Sequence, residues 1–163
     1  MNNNTKKDKN TNDQLLGPDR LPLNFHIEKE NGLSTTDARV KAICKVADVE
    51  PLEAVELLTN EDWLCLTDNE ADELARQLIL DSVWAFTPWF LSKQTGIDEE
   101  IFKLLQEKCE GANDAILRMI KDIDSFVNDA IGCDGRGHFI SHWDGNEHEI
   151  TIDNIDFFCF QLN

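Results

Sequence analysis

The spacing of apolar residues changes near Gly132, and this change limits the folds that the chain can adopt. Over about 113–131, apolar residues recur three or four positions apart, which predicts a long amphipathic helix. After Gly132, apolar and polar residues alternate, as is typical of strands. We therefore expect an α+β fold, with a mainly helical body followed by a small C-terminal antiparallel β-sheet.

The predicted sheet consists of a hairpin plus one strand. Residues 138–143 and 146–152 would be its first two strands, because Asp144-Gly145 between them favours a tight hairpin turn. The run at 157–162 is apolar enough to be the most buried strand. In this register His142 would face Glu147 and His138 would face Thr151.

A polar leader precedes the predicted domain. Residues 1–20 are rich in Asn and Lys, so we expect them to be disordered. Residues 21–163 then form a single α+β domain, helical over 34–131 and β over 137–162. At its start, the alternation at 23–27 predicts a short strand that ends in a turn at Asn31-Gly32. Within the helical part, Thr67 and Glu70 have the spacing of a capping box, which marks the start of a helix.

Charge and composition exclude several classes of function. The chain has 32 acidic and 15 basic residues, giving a net charge of −17, which disfavours direct binding to nucleic acid or to anionic membranes. No apolar run reaches the ~20 residues of a membrane span. The five cysteines contain no CxxC pair, so we expect buried, inert thiols in a reducing cytoplasm.

The acidic residues are unevenly distributed. No basic residue lies between Lys45 and Arg76, although this stretch holds ten acidic ones. Such a stretch fits either a solubilising surface or a phosphate-like surface that binds a basic groove. The second interpretation predicts a partner-binding surface made of Glu50, Glu53, Glu56, Asp68, Asp72 and Glu73. A second patch would lie at the predicted hairpin tip, with Trp143, Asp144 and Glu147.

Catalytic and metal-binding patterns are weak. His138 and His142 are the only metal candidates, and in a strand they would lie ~13 Å apart, too far to share one ion. Cys133 and His138 suggest a nucleophile and a base, but no third residue orients them. We therefore expect no cofactor, no metal and no enzymatic activity.

Several stretches resemble a family of small, acidic bacteriophage and prophage proteins. They are LTDNEADE at 66–73, VWAF at 83–86, GRGHFIS at 135–141 and DGNE at 144–147. The resemblance spans about 60–163 and implies a phage origin; it brings no catalytic residue with it.

Resemblance and charge together predict a phage-encoded, stoichiometric inhibitor of a host defence complex, of the anti-CRISPR or anti-restriction type. It would act in the host cytosol by nucleic-acid mimicry, on a nucleic-acid-binding or defence protein with a basic surface. One alternative is a phage accessory or assembly protein that acts through an apolar interface, including self-association as a homo-oligomer. Another is a small metal-binding protein or enzyme centred on 133–149.

Overall fold

The structure, a computed structural model, describes residues 33–163. The predicted leader, the strand at 23–27 and the Asn31-Gly32 turn lie outside these residues. The described part contains seven α-helices and three strands. They are α1 (Ala38–Ala47), α2 (Pro51–Thr59), β1 (Trp63–Thr67), α3 (Asp68–Asp81), α4 (Pro88–Thr95), α5 (Glu99–Gln106), α6 (Asn113–Leu117), α7 (Ile123–Ile140), β2 (His148–Ile152) and β3 (Ile155–Gln161). The predicted α+β class, mainly helical with a small antiparallel sheet, is confirmed.

The three strands form one antiparallel sheet in the order β1-β3-β2. The prediction of a hairpin plus one strand is therefore confirmed. The additional strand, however, is β1, which lies inside the stretch predicted to be helical over 34–131. The run at 63–67 is only five residues long and nearly all buried, so it has no helical period of its own. Its backbone is instead paired with β3.

The predicted strand at 138–143 is wrong. Residues 138–140 form the last turn of α7, and a loop follows before β2. Ile140 is fully buried against β3. This tertiary packing outweighs the strand preference indicated by the alternation of apolar and polar residues. The real hairpin joins β2 to β3 through Asp153-Asn154, whose φ angles of 52° and 65° suit a tight hairpin turn. The cross-strand positions predicted for His138 and His142 are therefore also wrong.

Helices cover both faces of the sheet. On one face, Trp63, Cys65 and Cys159 pack against α1 and α2. On the other, Leu64, Leu66 and Phe160 pack against α3 and the end of α7. Burial of a side chain as large as Phe160, which is fully enclosed, contributes about 1.5–3 kcal/mol. The small sheet thus lies at the centre of this half of the molecule.

A second core joins α4–α7. The apolar stripe predicted over 113–131 supplies much of it, including Ile116, Phe126 and Val127. The stripe belongs to two helices, because α6 ends at Leu117 and Asp122 caps α7 by accepting the Ser125 N–H at 3.0 Å. The pattern identifies the buried face but does not reveal the break.

The capping-box prediction is confirmed at the start of α3. The Glu70 carboxylate accepts the Thr67 N–H at 2.7 Å, which fixes the first turn against the end of β1. Within residues 33–163, no helix has both the length and the apolar character needed to span a membrane.

Candidate functional site

The Arg136 guanidinium joins three parts of the fold. Its Nε and Nη2 donate to Oε2 and Oε1 of Glu147, each at 2.8 Å. Its Nη1 donates to Oδ1 of Asp68 and of Asp72, also at 2.8 Å. Its Cζ lies 4.3 Å from the centroid of the Phe158 ring, within cation–π range. These hydrogen bonds, first those to Glu147, raise the pKa of Arg136 above its already high ordinary value. We call Arg136, Glu147, Asp68 and Asp72 the Arg136 network.

Two glycines place Arg136 in this position. Gly135 has a φ of 79°, which interrupts the helical backbone of α7 and redirects the chain. Gly137 lies so close to the 145–147 loop that a Cβ there would be 2.5 Å from the carbonyl oxygen of Gly145. The kink and the close approach bring the end of α7 against the loop that carries Glu147.

The Arg136 network uses three of the predicted partner-binding residues internally. Asp68 and Asp72 lie one turn apart at the start of α3, where the helix dipole favours negative charge. Their side chains remain 66% and 59% exposed, whereas that of Glu147 is 25% exposed. We conclude that Glu147 has a structural role, and that Asp68 and Asp72 combine an internal ion pair with a surface position.

A second arginine holds the other side of the α3 start. Arg39 donates to both carboxylate oxygens of Glu70, at 2.9 and 3.0 Å, and also to the carbonyl oxygen of Cys65. Burial would raise the pKa of Glu70, but the hydrogen bonds from Arg39 and Thr67 outweigh it and lower the pKa. Charged side chains thus connect α1, β1 and α3.

The remaining predicted acids belong to a different environment. Glu50, Glu53 and Glu56 are exposed on α2 and its N-cap, and none forms an ion pair in the described part of the chain. Leu52, on the same helix, is 73% exposed. We call these four residues the α2 acidic face. Glu73 on α3 is likewise exposed without an ion pair among residues 33–163.

The predicted second patch lies in the loop before β2, not at a hairpin tip. Asp144 accepts hydrogen bonds from the N–H and the side chain of Asn146, both at 2.9 Å, and from the Ser141 hydroxyl at 2.8 Å. The backbone bond from Asn146 is the main reason that the pKa of Asp144 falls to about 2. Trp143, by contrast, is 68% exposed. Of the three predicted residues, Trp143 is the one available for an apolar contact.

A cavity of about 520 Å³ lies beside the α7 kink, and the sequence analysis missed it. Its polar lining includes Cys133, Asp134 and His138, all exposed, and also Ser82 and Thr87. Aromatic rings form much of the wall. They are Phe86, Trp89, Phe90 and Phe139. The available signal in the sequence was the glycine at position 135, because glycine readily adopts positive φ angles that interrupt a helix. In the structure Gly135 has such an angle. Cys133 and His138, which the sequence suggests as a nucleophile and a base, both line this cavity.

Among residues 33–163, no group of three or more His, Cys, Asp or Glu side chains is arranged so that it could hold a metal ion. His138 lies in the last turn of α7, and its ring packs edge-on against Phe139 with 5.1 Å between centroids. His142 lies beyond the end of the same helix.

Three of the stretches that carry the phage resemblance, 66–73, 135–141 and 144–147, meet at the Arg136 network. No family model, curated protein or solved structure matches the chain. The resemblance therefore stays a prediction, and the meeting of these stretches describes their structural role.

Proposed function

We propose that the protein acts without catalysis, by binding a basic surface of a partner protein through the α2 acidic face. One observation carries the proposal: Glu50, Glu53 and Glu56 are exposed and have no ion pair in the described part, while Asp68, Asp72 and Glu147 are held by Arg136. These three glutamates can pair with a partner without breaking an ion pair within residues 33–163.

The basic residues of the described part support this interpretation. Half of them are in ion pairs with acids of the same chain. They are Arg39, Lys41, Arg76, Lys103 and Arg136. Lys93 lies over the Trp89 ring, 5.4 Å from its centroid. Because so many positive charges are neutralised locally, the unpaired acids dominate the field that an approaching partner meets.

The spacing of the three glutamates suits a partner that binds polyanions. Residues three apart on a helix have Cβ atoms ~5–6 Å from each other, which places Glu53 and Glu56 side by side on α2. Glu50 lies at the N-cap of the same helix. Leu52, on the same helix, is 73% exposed and offers an apolar contact beside the glutamates. Protein interfaces commonly combine an apolar centre with a polar rim. A groove that binds a nucleic-acid backbone has the complementary charge.

The expected partner is therefore a nucleic-acid-binding or defence protein of a bacterial host. Together with the predicted phage origin, this makes the protein a stoichiometric inhibitor of a host defence complex, of the anti-CRISPR or anti-restriction type, acting by nucleic-acid mimicry in the host cytosol.

A pull-down from nuclease-treated host lysate tests the proposal. The wild-type protein should capture a nucleic-acid-handling protein that is released by ~1 M salt, where the Debye length is ~3 Å, and is displaced by added DNA or RNA. The variant E50Q/E53Q/E56Q should lose this capture. The matched control E107Q/E110Q/E149Q removes the same charge from other exposed positions and should keep it. Equal capture by both variants, or capture that resists salt, would contradict the proposal.

An apolar interface is the second candidate, because several large apolar side chains are exposed. Trp89 and Trp143 are 59% and 68% exposed, and Ile101 and Leu104, three residues apart on α5, are 44% and 61% exposed. An accessory or assembly role, or self-association, would use these side chains. Sedimentation in ~1 M salt distinguishes the two candidates, because apolar association persists where charge is screened.

A further inference from the structure

Two buried cysteines lie directly opposite each other in the sheet. Cys65 of β1 is paired with Cys159 of β3, and both are fully buried. Directly opposed residues of antiparallel strands point to the same side of the sheet, so the two thiols share one face. That face is the one covered by α1 and α2.

The backbone pairing identifies the kind of position that the two cysteines occupy. The Leu162 N–H donates to the Asp62 carbonyl oxygen at 2.8 Å, so these two residues occupy a hydrogen-bonded position at the end of the ladder. Such positions alternate with non-hydrogen-bonded ones, which makes Cys65 and Cys159 a non-hydrogen-bonded pair. The Cα atoms of these pairs are ~4.5 Å apart, within the range that a disulfide bridges.

We propose that Cys65 and Cys159 are a redox pair that forms a cross-strand disulfide when the protein meets a low-molecular-weight disulfide oxidant. In the first step one cysteine thiolate attacks the oxidant, forms a mixed disulfide and releases one thiolate. The second cysteine then attacks the mixed disulfide, forms the Cys65–Cys159 bond and releases the other thiolate. The protein loses two protons and two electrons, and the oxidant becomes two thiols. This proposal is independent of the α2 acidic face.

The surroundings of the pair determine when the reaction occurs. A hydrogen bond with the Cys159 thiol and burial raise the pKa of Cys65, so little reactive thiolate is present in the closed sheet. No further strand pairs with the far side of β1 within residues 33–163, so among the described strands β1 pairs only with β3. Exposure of the thiols requires β1 to separate from β3 and α1 and α2 to move away from the same face. Oxidation should therefore depend on local opening of the sheet.

Disulfide formation would change how the molecule opens. The bond would close a loop of roughly 95 residues and tie β3 covalently to β1, which restricts the unfolded chain more than a short loop would. We expect the equilibrium constant for unfolding to fall about tenfold or more on oxidation and to return when a thiol reductant is added.

The test uses a variant of the full chain, C44A/C109S/C133S, in which the proposed pair alone remains. It is incubated with oxidised glutathione, with and without about 2 M urea to promote opening, then denatured and alkylated. Intact mass and peptide mapping should show a Cys65–Cys159 disulfide, forming faster with urea. The matched control C44A/C109S/C133S/C159A should form no intramolecular disulfide and should gain no resistance to unfolding.

The wild-type protein is treated in parallel, because a multiple variant can fold poorly. Peptide mapping of the wild type should find the same Cys65–Cys159 bond. Recovery of both cysteines as alkylated thiols under every condition would overturn the proposal, as would a disulfide joining either one to Cys44 instead.

Discussion

Arg136 and Glu147 form a two-point ion pair, with Nε–Oε2 and Nη2–Oε1 distances of 2.8 Å. Their side chains are 10% and 25% exposed, so solvent screens this pair less than an ordinary surface pair. The same guanidinium also holds Asp68 and Asp72, and thereby links the α7 kink, the loop before β2 and the start of α3.

Replacing Arg136 by Ala should lower the free energy of unfolding by about 3 kcal/mol, because it leaves a partly buried carboxylate and two neighbouring aspartates without their cation. Arg136→Lys should recover only part of this loss, since an ammonium cannot make the two-point contact. Urea denaturation measures both. Arg118→Ala is the control: Arg118 is exposed and should change the free energy of unfolding by less than about 0.5 kcal/mol. Equal effects at the two positions would refute the structural role of Arg136.

Gly137→Ala should destabilise the protein by about 1–3 kcal/mol, because the new Cβ would lie 2.5–2.8 Å from backbone atoms of Gly145, Asn146 and Glu147. Gly132→Ala, in the same helix, meets no atom within 4 Å and should leave stability unchanged or raise it by up to about 1 kcal/mol. Thermal unfolding of the two variants compares them directly. A stable Gly137→Ala protein would show that the loop does not approach α7 this closely.

The pKa of Asp144, about 2 against an ordinary 3.8, predicts a loss of stability in acid. A carboxylate whose pKa is lowered in the folded state contributes stability above its unfolded pKa and loses that contribution as pH falls towards the folded value. The urea midpoint of the wild type should therefore drop more steeply between pH 5 and about 2 than that of Asp144→Asn. Glu73→Gln, which changes an exposed acid without an ion pair among residues 33–163, should keep the wild-type slope.

The exposed and the buried cysteines should differ in how fast they react with a thiol reagent. Cys109 and Cys133 are exposed and should react rapidly with a thiol reagent in the native protein. Cys65 and Cys159 are buried and should react only through opening or unfolding, at rates that urea increases. Time-resolved labelling with mass spectrometry of the modified peptides measures each site. Prompt labelling of Cys65 would contradict its place in a closed sheet.

The sequence predicts much of the fold where local and tertiary preferences agree. The start of α3 was predictable, because Thr67 and Glu70 satisfy backbone donors at the helix end by themselves. The apolar stripe from Ile116 to Val127 correctly identifies a buried helical face. Both signals depend on residues that are close together in the chain.

Prediction from the sequence fails where contacts between residues far apart in the chain determine the local structure. Residues 138–143 alternate like a strand, but burial of Ile140 in the core keeps 138–140 helical. β1 was missed because its pairing partner lies more than ninety residues further along the chain. The predicted partner-binding residues fall into two groups for the same reason. Asp68 pairs with Arg136, whereas Glu53 has no ion pair in the described part, and the neighbouring sequence does not distinguish the two residues.

The strand order β1-β3-β2 has a consequence for synthesis on the ribosome. Because β3 occupies the middle and follows the other two strands in the chain, neither β1 nor β2 has a pairing partner among residues 33–163 until residues 155–161 emerge. Leu64 and Leu66 are synthesised more than ninety residues before Phe158 and Phe160, the side chains that pack with them in the folded protein. Pairing between strands so far apart in the chain slows folding, and it lengthens the time for which these apolar segments are exposed to aggregation.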